Sequence, residues 1–334
     1  MQILHAIGPL LPDSAACLGA FDGLHRGHQA LLSRASRASR HTALVTFDNH
    51  PAHVLAPEHA PPLLQRPGQR ARVCEQLGVS QLVLLPFDRT MASRGAVEFV
   101  RDVLAPLRLD ALVVGADFRF GRGRDGTAGH LVQLGARYGI DVAVIEPVPG
   151  PGDAPAKISS STIRADVAAG ELEAAATALG RWYSVEGRVQ RGAGRGRGLG
   201  FPTANVASRS ALLPPDGVYV ALLAALAADG SLASPVHAAV ANLGPAPTFP
   251  QGTGDATRAD LEVHALDVDL RQTLYGSDVE VWLGPRLRDP QRFASPAQLQ
   301  QAIAHDIERA RETIGSDPTR LALARLQPGA DQRG

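Results

Sequence analysis

Two histidines three residues apart, His25 and His28, stand in the run Phe21-Asp22-Gly23-Leu24-His25-Arg26-Gly27-His28. A short apolar run ending in Gly19 precedes it and a helix-like run at 29–38 follows. That order makes a strand–turn–helix corner, where free backbone N–H groups and the positive end of a helix dipole favour phosphate. Gly27 permits close backbone approach. Two imidazoles there can hydrogen-bond phosphate oxygens as a nucleotide is attacked and pyrophosphate departs, each such donor being worth roughly 10²–10³ in rate. The competing readings are solvated histidines, core histidines, or a metal site, which neither a cysteine nor an H-E-x-x-H pattern completes. Gly19, Phe21, Asp22, Gly23 and Gly27 join the pair as nucleotide- and phosphate-binding candidates.

The segment resembles the H-x-G-H signature of the nucleotidyltransferase superfamily. In its longer form, L-G-A-F-D-G-L-H-R-G-H-Q-A-L-L, it resembles the prokaryotic bifunctional riboflavin kinase/FMN adenylyltransferases, or FAD synthetases.

The elements that must position this corner follow from the pattern of the first half. Strand-like runs at 15–20, 43–47, 81–86, 111–115 and 142–146 alternate with helix-like stretches at 26–39, 67–77, 93–104 and 127–138. Such alternation predicts an α/β fold, a doubly wound parallel sheet that binds ligands beyond its strand C-termini. The motifs fall mostly at those ends. Val45-Thr46-Phe47-Asp48-Asn49-His50-Pro51 resembles the family's T-F-x-P-H-P box, with Asn49 in place of proline and His50 kept. Gly121, Gly123 and Gly126 formally match G-x-G-x-x-G, but that fingerprint needs its first glycine directly at a strand end, and five residues intervene here. The whole run from Gly115 to Gly126 instead resembles the G-x-D-F-R-F-G box. The resemblance makes Asp117, Phe118, Arg119, Phe120 and Arg122 the flavin-binding candidates; their alternative is a solvated loop.

Ser159, Ser160 and Ser161 precede a helical run at 165–180, where hydroxyls serve as N-caps in any case. Arg164 one turn in adds a guanidinium to the anion site. The stretch resembles the I-S-S-T-x-I-R signature that closes over ATP phosphates, with Ser161 where threonine is usual.

After Trp182 the pattern changes to short β-like runs at 183–189, 217–224, 235–243, 260–266 and 278–283, then a helix near 296–314 opened by Ser295-Pro296. Strands at this spacing predict a small antiparallel barrel with a C-terminal helix. Domains are expected at 1–182 and 183–315, with 316–334 as a flexible tail. The arginine–glycine run 191–198 invites an RNA-binding reading. It is only eight residues long in a chain that is 4% aromatic, whereas RNA recognition usually needs stacking residues and a basic face. Together with Leu199-Gly200-Phe201-Pro202-Thr203-Ala204-Asn205 it resembles the flavokinase signature. Its glycines, Gly192, Gly194, Gly196 and Gly200, let backbone amides cradle ATP phosphates in a nest, and the resemblance adds Pro202 to the phosphate-binding candidates. The resemblance makes Thr203 and Asn205 ligands of Mg²⁺ and phosphate oxygens. It also makes Glu262, in the alternating strand Leu261-Glu262-Val263-His264, the general base; a lone glutamate there is otherwise a solvent-facing strand residue. Boxes at 217–219, 242–249 and 274–276 are read as supporting turns and barrel corners.

Composition is ordinary for a soluble globular protein, and the length suits two domains: 334 residues, 45% hydrophobic, 20% charged and formally neutral. No global field draws it to nucleic acid or membrane, no apolar run approaches the roughly 20 residues of a membrane span, and no secretory leader is expected. Cys17 and Cys74 are the only cysteines, which suits a reducing cytoplasm. Lys157 is the only lysine and lies in no Walker A motif. The resemblance therefore implies an enzyme with riboflavin, FMN and ATP as small-molecule substrates and Mg²⁺ as cofactor, yielding FMN and FAD. Neither nucleic acid nor membrane is an expected partner, and homo-oligomerisation is left open. A nucleotidyltransferase acting on another substrate, with the barrel as a flavin sensor, is the alternative.

Overall fold

The computed structural model describes residues 1–150, 157–190, 200–244, 260–266, 268 and 274–316. The described residues form two compact units. One comprises Met1–Leu63 with Pro67–Ser160; the other comprises Leu64–Arg66 with the residues from Ser161 onward.

The first unit is built on a parallel sheet of β1 (Gln2–Leu4), β2 (Ser14–Leu18), β3 (His41–Phe47), β4 (Gln81–Leu85), β5 (Ala111–Gly115) and β8 (Asp141–Ile145), in the order β1-β4-β3-β2-β5-β8. A hairpin of β6 (Arg119–Phe120) and β7 (Gly126–Thr127) follows β5. The strands read as near-continuous apolar runs because both faces are covered. On β2, Ala16 and Leu18 face a core built with Val103, Leu104, Leu107 and Leu131. Ala15 and Cys17 face the other core, with Leu31, Leu32 and Ala35 of α1 (Arg26–Ala38) and Cys74 of α3 (Pro67–Gln76). Burial raises the pKa of the Cys17 thiol far above its usual value, so Cys17 behaves as a small hydrophobe. The chain runs outward from β2 through β3 and β4 on one side and returns to β5 on the other. The strand order therefore reverses between β2 and β5, the crevice position that favours ligands in such sheets.

The helix expected at 93–104 is broken. α4 (Arg89–Ser93) ends ahead of α5 (Ala96–Phe99), which widens into a π-helical turn at Val100–Leu104. Gly95, between them, has no side chain to cap α5, and its N–H is taken instead by Glu98 at 2.9 Å. α2 (Pro51–Leu55) and α6 (Ala128–Arg137) complete this unit's helices among the described residues.

The second unit contains a closed antiparallel barrel, in the order β10-β13-β12-β11-β14-β9. Its strands are β9 (Tyr183–Gln190), β10 (Ala204–Ser208), β11 (Gly217–Leu226), β12 (His237–Leu243), β13 (Asp260–Ala265) and β14 (Asp278–Arg288). β10 is the strand that the sequence pattern missed. It pairs with both β9 and β13, and without it the barrel would stay open. Close approach there needs glycine: a Cβ on Gly187 would stand 2.4 Å from Val206 Cγ1. Outside the barrel, Val218, Val220 and Leu222 pack against Ala310 and Ile314 of α9 (Pro296–Ser316). α7 (Ser160–Ala169) and α8 (Leu172–Leu179) precede the barrel, and Ala176 and Trp182 join that outer core. The sequence pattern changes at residue 182, where strands begin, whereas the chain changes packing partner at Ser160/Ser161. α9 reaches Ser316, and the tail expected beyond it lies outside the described residues from 317.

Candidate active sites

At the end of β2 the backbone turns sharply, with positive φ at Phe21, Gly23 and Leu24. His25 is the N-cap of α1: its Nδ1 accepts the His28 N–H at 3.4 Å. That bond occupies the Nδ1 lone pair, so a neutral ring carries its proton on Nε2 and presents a donor there. The His25 and His28 rings stack with centroids 3.6 Å apart, and the buried Phe21 ring meets His28 edge-on at 4.9 Å. Phe21 is thus the floor beneath the histidines. A Cβ on Gly27 would stand 3.0 Å from His25 Cε1 and Nδ1, the close approach expected from its type. Gly19 donates its N–H to Val45 O at 3.3 Å. Ser160 Oγ donates to the carbonyl of the buried Asp22 at 2.8 Å, which joins the serine signature to the histidine corner. Ser159 is half-buried beside it; Ser161 is exposed and Arg164 half-buried on α7.

The β3 exit lies against the same corner. Thr46 Oγ1 donates to Ala20 O at 3.0 Å. His50 caps α2 as His25 caps α1, with Nδ1 accepting the Ala52 N–H at 3.2 Å and Nε2 again left as the protonated nitrogen. Asn49, where the family has proline, donates from Nδ2 to Phe87 O at 3.0 Å, a side-chain tie in place of a rigid ring.

From β5, Asp117 is paired with Lys157, whose hydrogen bond holds the carboxyl below the usual carboxylate range despite partial desolvation. Phe118 and Phe120 stack at 5.7 Å, with Phe120 buried in the core and Phe118 half-buried. Arg119 and Arg122 are exposed. The formal G-x-G-x-x-G match is a hairpin: Gly121 and Gly123 take positive φ, and a Cβ on Gly126 would strike the Phe120 ring at 2.7 Å.

In the barrel, Glu262 on β13 stands directly opposite Asn205 on β10 and Asn242 on β12. Registered partners share a face with Cβ atoms about 4.5–5.5 Å apart, so the three form one polar row. Thr203 lies two residues before Asn205 and, like it, is half-buried. Gly200 turns with φ 83°, and the Pro202 carbonyl is bonded to His264 Nδ1 at 2.7 Å, tying the loop exit to the strand of Glu262. Gly192, Gly194 and Gly196, and residues 245–249 of the Asn242 box, lie outside the described residues. Sequence reasoning treated Asn242 as a turn residue; its place beside Glu262 depends on register, which the N-L-G motif alone does not encode.

Residues 9–162 match the family described as FAD synthetase, and residues 179–314 that described as riboflavin kinase. Proteins named bifunctional riboflavin kinase/FMN adenylyltransferase are similar over most of the chain. That of Escherichia coli K12 is 37% identical over 89% of this chain and 92% of its own length. That of Pseudomonas fluorescens is 35% identical over 93% and 97%. That of Bacillus subtilis is 31% identical over 92% and 94%. A crystal structure described as a macrolide-efflux protein from Streptococcus pneumoniae is 31% identical, with a TM-score of 0.79 over 93% of this chain and 99% of that one. That likeness is one of fold and sequence; among the described residues no helix is long and apolar enough to cross a membrane. With both domain families present in this order, and relatives above 30% identity across nearly the whole length, the chain belongs to the bifunctional riboflavin kinase/FMN adenylyltransferase family, the FAD synthetases.

Proposed function

We propose that the two family activities divide between residues 1–182, which adenylylate FMN, and residues 183–315, which phosphorylate riboflavin. The observation that carries this division is that each signature has its own setting, the histidine corner at the β2/β5 reversal and the Asn–Glu row in the barrel. The chain converts riboflavin and ATP to FMN and ADP, then FMN and a second ATP to FAD and pyrophosphate.

In the kinase step Glu262 takes the proton of the ribityl 5′-hydroxyl as its oxygen bonds the γ-phosphorus of ATP and the bond to the β-phosphate oxygen breaks. A positioned base of this kind contributes about 10²–10⁴ in rate. Asn205 and Asn242 stand opposite Glu262 in register, one on each neighbouring strand. Thr203 and Asn205 offer hard oxygen donors of the kind Mg²⁺ accepts alongside waters and phosphates; both are half-buried, and Asn205 stands opposite Glu262, which fits that ion. Bound there, Mg²⁺ would neutralise phosphate charge.

In the adenylyl transfer an FMN phosphate oxygen bonds the α-phosphorus of ATP and pyrophosphate leaves. The nucleophile is already anionic, so no base is needed. His25 and His28 donate to oxygens that gain charge, with Gly19, Gly23 and Gly27 giving the backbone room. His50, Ser159, Ser160, Ser161 and Arg164 hold the phosphates, and Asp117, Phe118, Arg119, Phe120 and Arg122 the flavin side. A reducing cytoplasm suits two buried free thiols.

Following riboflavin, FMN and FAD by chromatography tests the division. Glu262→Gln should abolish FMN formation while FMN is still converted to FAD; His28→Ala should do the reverse. Unimpaired FMN formation by the glutamine variant would remove Glu262 as base; a parent chain that formed no FMN would leave the barrel as a flavin sensor.

A further inference from the structure

Arg70 lies on α3, outside every motif named above, yet it is 6% exposed, an uncommon place for a guanidinium. Its Nη1 stands 3.4 Å from Ala20 O, 3.3 Å from Thr46 Oγ1 and 3.1 Å from Phe47 O. Ala20 belongs to the turn that leads from β2 into the histidine corner; Thr46 and Phe47 end β3 just ahead of His50. One buried cation thus holds two loops that leave neighbouring strands at the ligand edge of the sheet. Thr46 completes the arrangement, since its hydroxyl donates to the same Ala20 carbonyl and receives from Arg70. Burial works against the charge, lowering the pKa of Arg70, while the negative charges of Asp22 and Asp48 oppose that shift. A core residue needed only to fill this space would be apolar, because burying a cation is costly unless its partners require it.

We propose that Arg70 is a positioning residue for adenylyl transfer, fixing the His25–His28 corner and the His50 loop in one arrangement relative to each other. This rests on the assignment of FMN adenylylation to this unit. A bound nucleotide would meet donors whose spacing is set before it arrives, which is where preorganised sites gain rate.

The test compares the full-length parent with Arg70→Met, Arg70→Lys and Thr46→Val. FMN adenylylation, riboflavin phosphorylation, circular dichroism at the assay temperature and amide exchange of residues 19–24 and 47–50 are measured for each. Arg70→Met should lower kcat/KM for FMN adenylylation about 10²-fold, with riboflavin phosphorylation unchanged and the chain folded. Exchange should quicken in both loops together. Arg70→Lys, whose ammonium carries three donors for the same three oxygens, should recover to within about tenfold of the parent, and Thr46→Val should fall between. Adenylylation by a folded Arg70→Met within about threefold of the parent, or unchanged exchange in the two loops, overturns the proposal. So does loss of activity that only accompanies unfolding at the assay temperature, since Arg70 would then support the fold alone. A parent that made no FAD would remove the assignment of the unit's reaction, and the exchange measurement would still decide whether Arg70 fixes the loops.

Discussion

Gly27→Ala separates stability from activity in the histidine corner. Gly27 is the second residue of α1 and has helical backbone angles, so alanine fits the backbone. In a helix interior that change is worth about 0.8–1.0 kcal/mol in favour of alanine, and somewhat less in a first turn. The new methyl group, however, would stand 3.0 Å from two atoms of the His25 ring. Unstrained carbon contacts lie at ~3.5–4.0 Å, so the ring must retreat by ~0.5–1 Å. It has little room, because His28 is stacked on it at 3.6 Å and the buried Phe21 stands edge-on behind His28. Misplacing a catalytic group by ~1 Å costs up to ~10²-fold, so FAD formation from FMN should fall by about 10–10²-fold. The thermal midpoint should hold or rise, and riboflavin phosphorylation should not change. Chromatographic rates for both reactions, alongside a melting curve, measure all three. FAD formation within about threefold of the parent would refute the argument, since the donors would then tolerate the displacement.

Three further outcomes follow from local geometry. Asp306, 2% exposed on α9, accepts at Oδ2 from both Nε and Nη2 of Arg288 on β14, each at 2.9 Å. Breaking such a pair from one side costs about 3–5 kcal/mol, so Asp306→Ala should lower the barrel unit's thermal midpoint by roughly 6–15 °C; a shift under about 3 °C would contradict this. The Asp166 carboxyl is raised above its usual value, first by burial and then by Glu171. A raised acid favours the folded state only below its unfolded value and loses that contribution as pH rises through the folded one. Asp166→Asn should therefore raise the midpoint at pH 7, by about 1 °C for a half-exposed group, and give no gain below pH 3.8; differential scanning calorimetry at the two pH values checks both. Lys157→Met should let Asp117 titrate upward toward an ordinary carboxylate, read by carbon NMR of its side chain, and an unmoved titration would dismiss the pair.

Near-continuous apolar runs separated by helical stretches specified the parallel sheet well, because strands buried on both faces carry no polar alternation. The histidine corner was legible for a related reason: a strand ending in glycine and followed by a helix leaves few geometries open. β10 was hidden because Ala204–Ser208 holds only Ala204 and Val206 as buried residues, and its pairing with β9 and β13 is non-local. β1 has three residues, too few to carry a period. Histidine is an unusual N-cap, so neither His25 nor His50 announced that its Nδ1 would be taken by a helix start. Arg70 was the least visible. It sits in a polar stretch of α3, where Gln69 and Arg72 are buried too, and nothing in a hydropathy pattern says that a guanidinium turns inward. The acceptors it finds are backbone carbonyls and a hydroxyl 23 to 50 positions away in the sequence.

Closure of the barrel has a consequence for how the chain meets other chains. A closed ring of strands leaves no row of unpaired N–H and C=O groups, so the barrel offers no template on which another strand can add. The open sheet keeps two margins, and they differ. β1 is only three residues long and partly exposed, a margin too short to guide much pairing, whereas β8 presents five residues that begin with a charged aspartate. Asp141 is thus the gatekeeper on the longer margin. Self-association through strand addition, if destabilising conditions provoke it, should begin at β8 in the first unit, and replacing Asp141 with an apolar residue should hasten it.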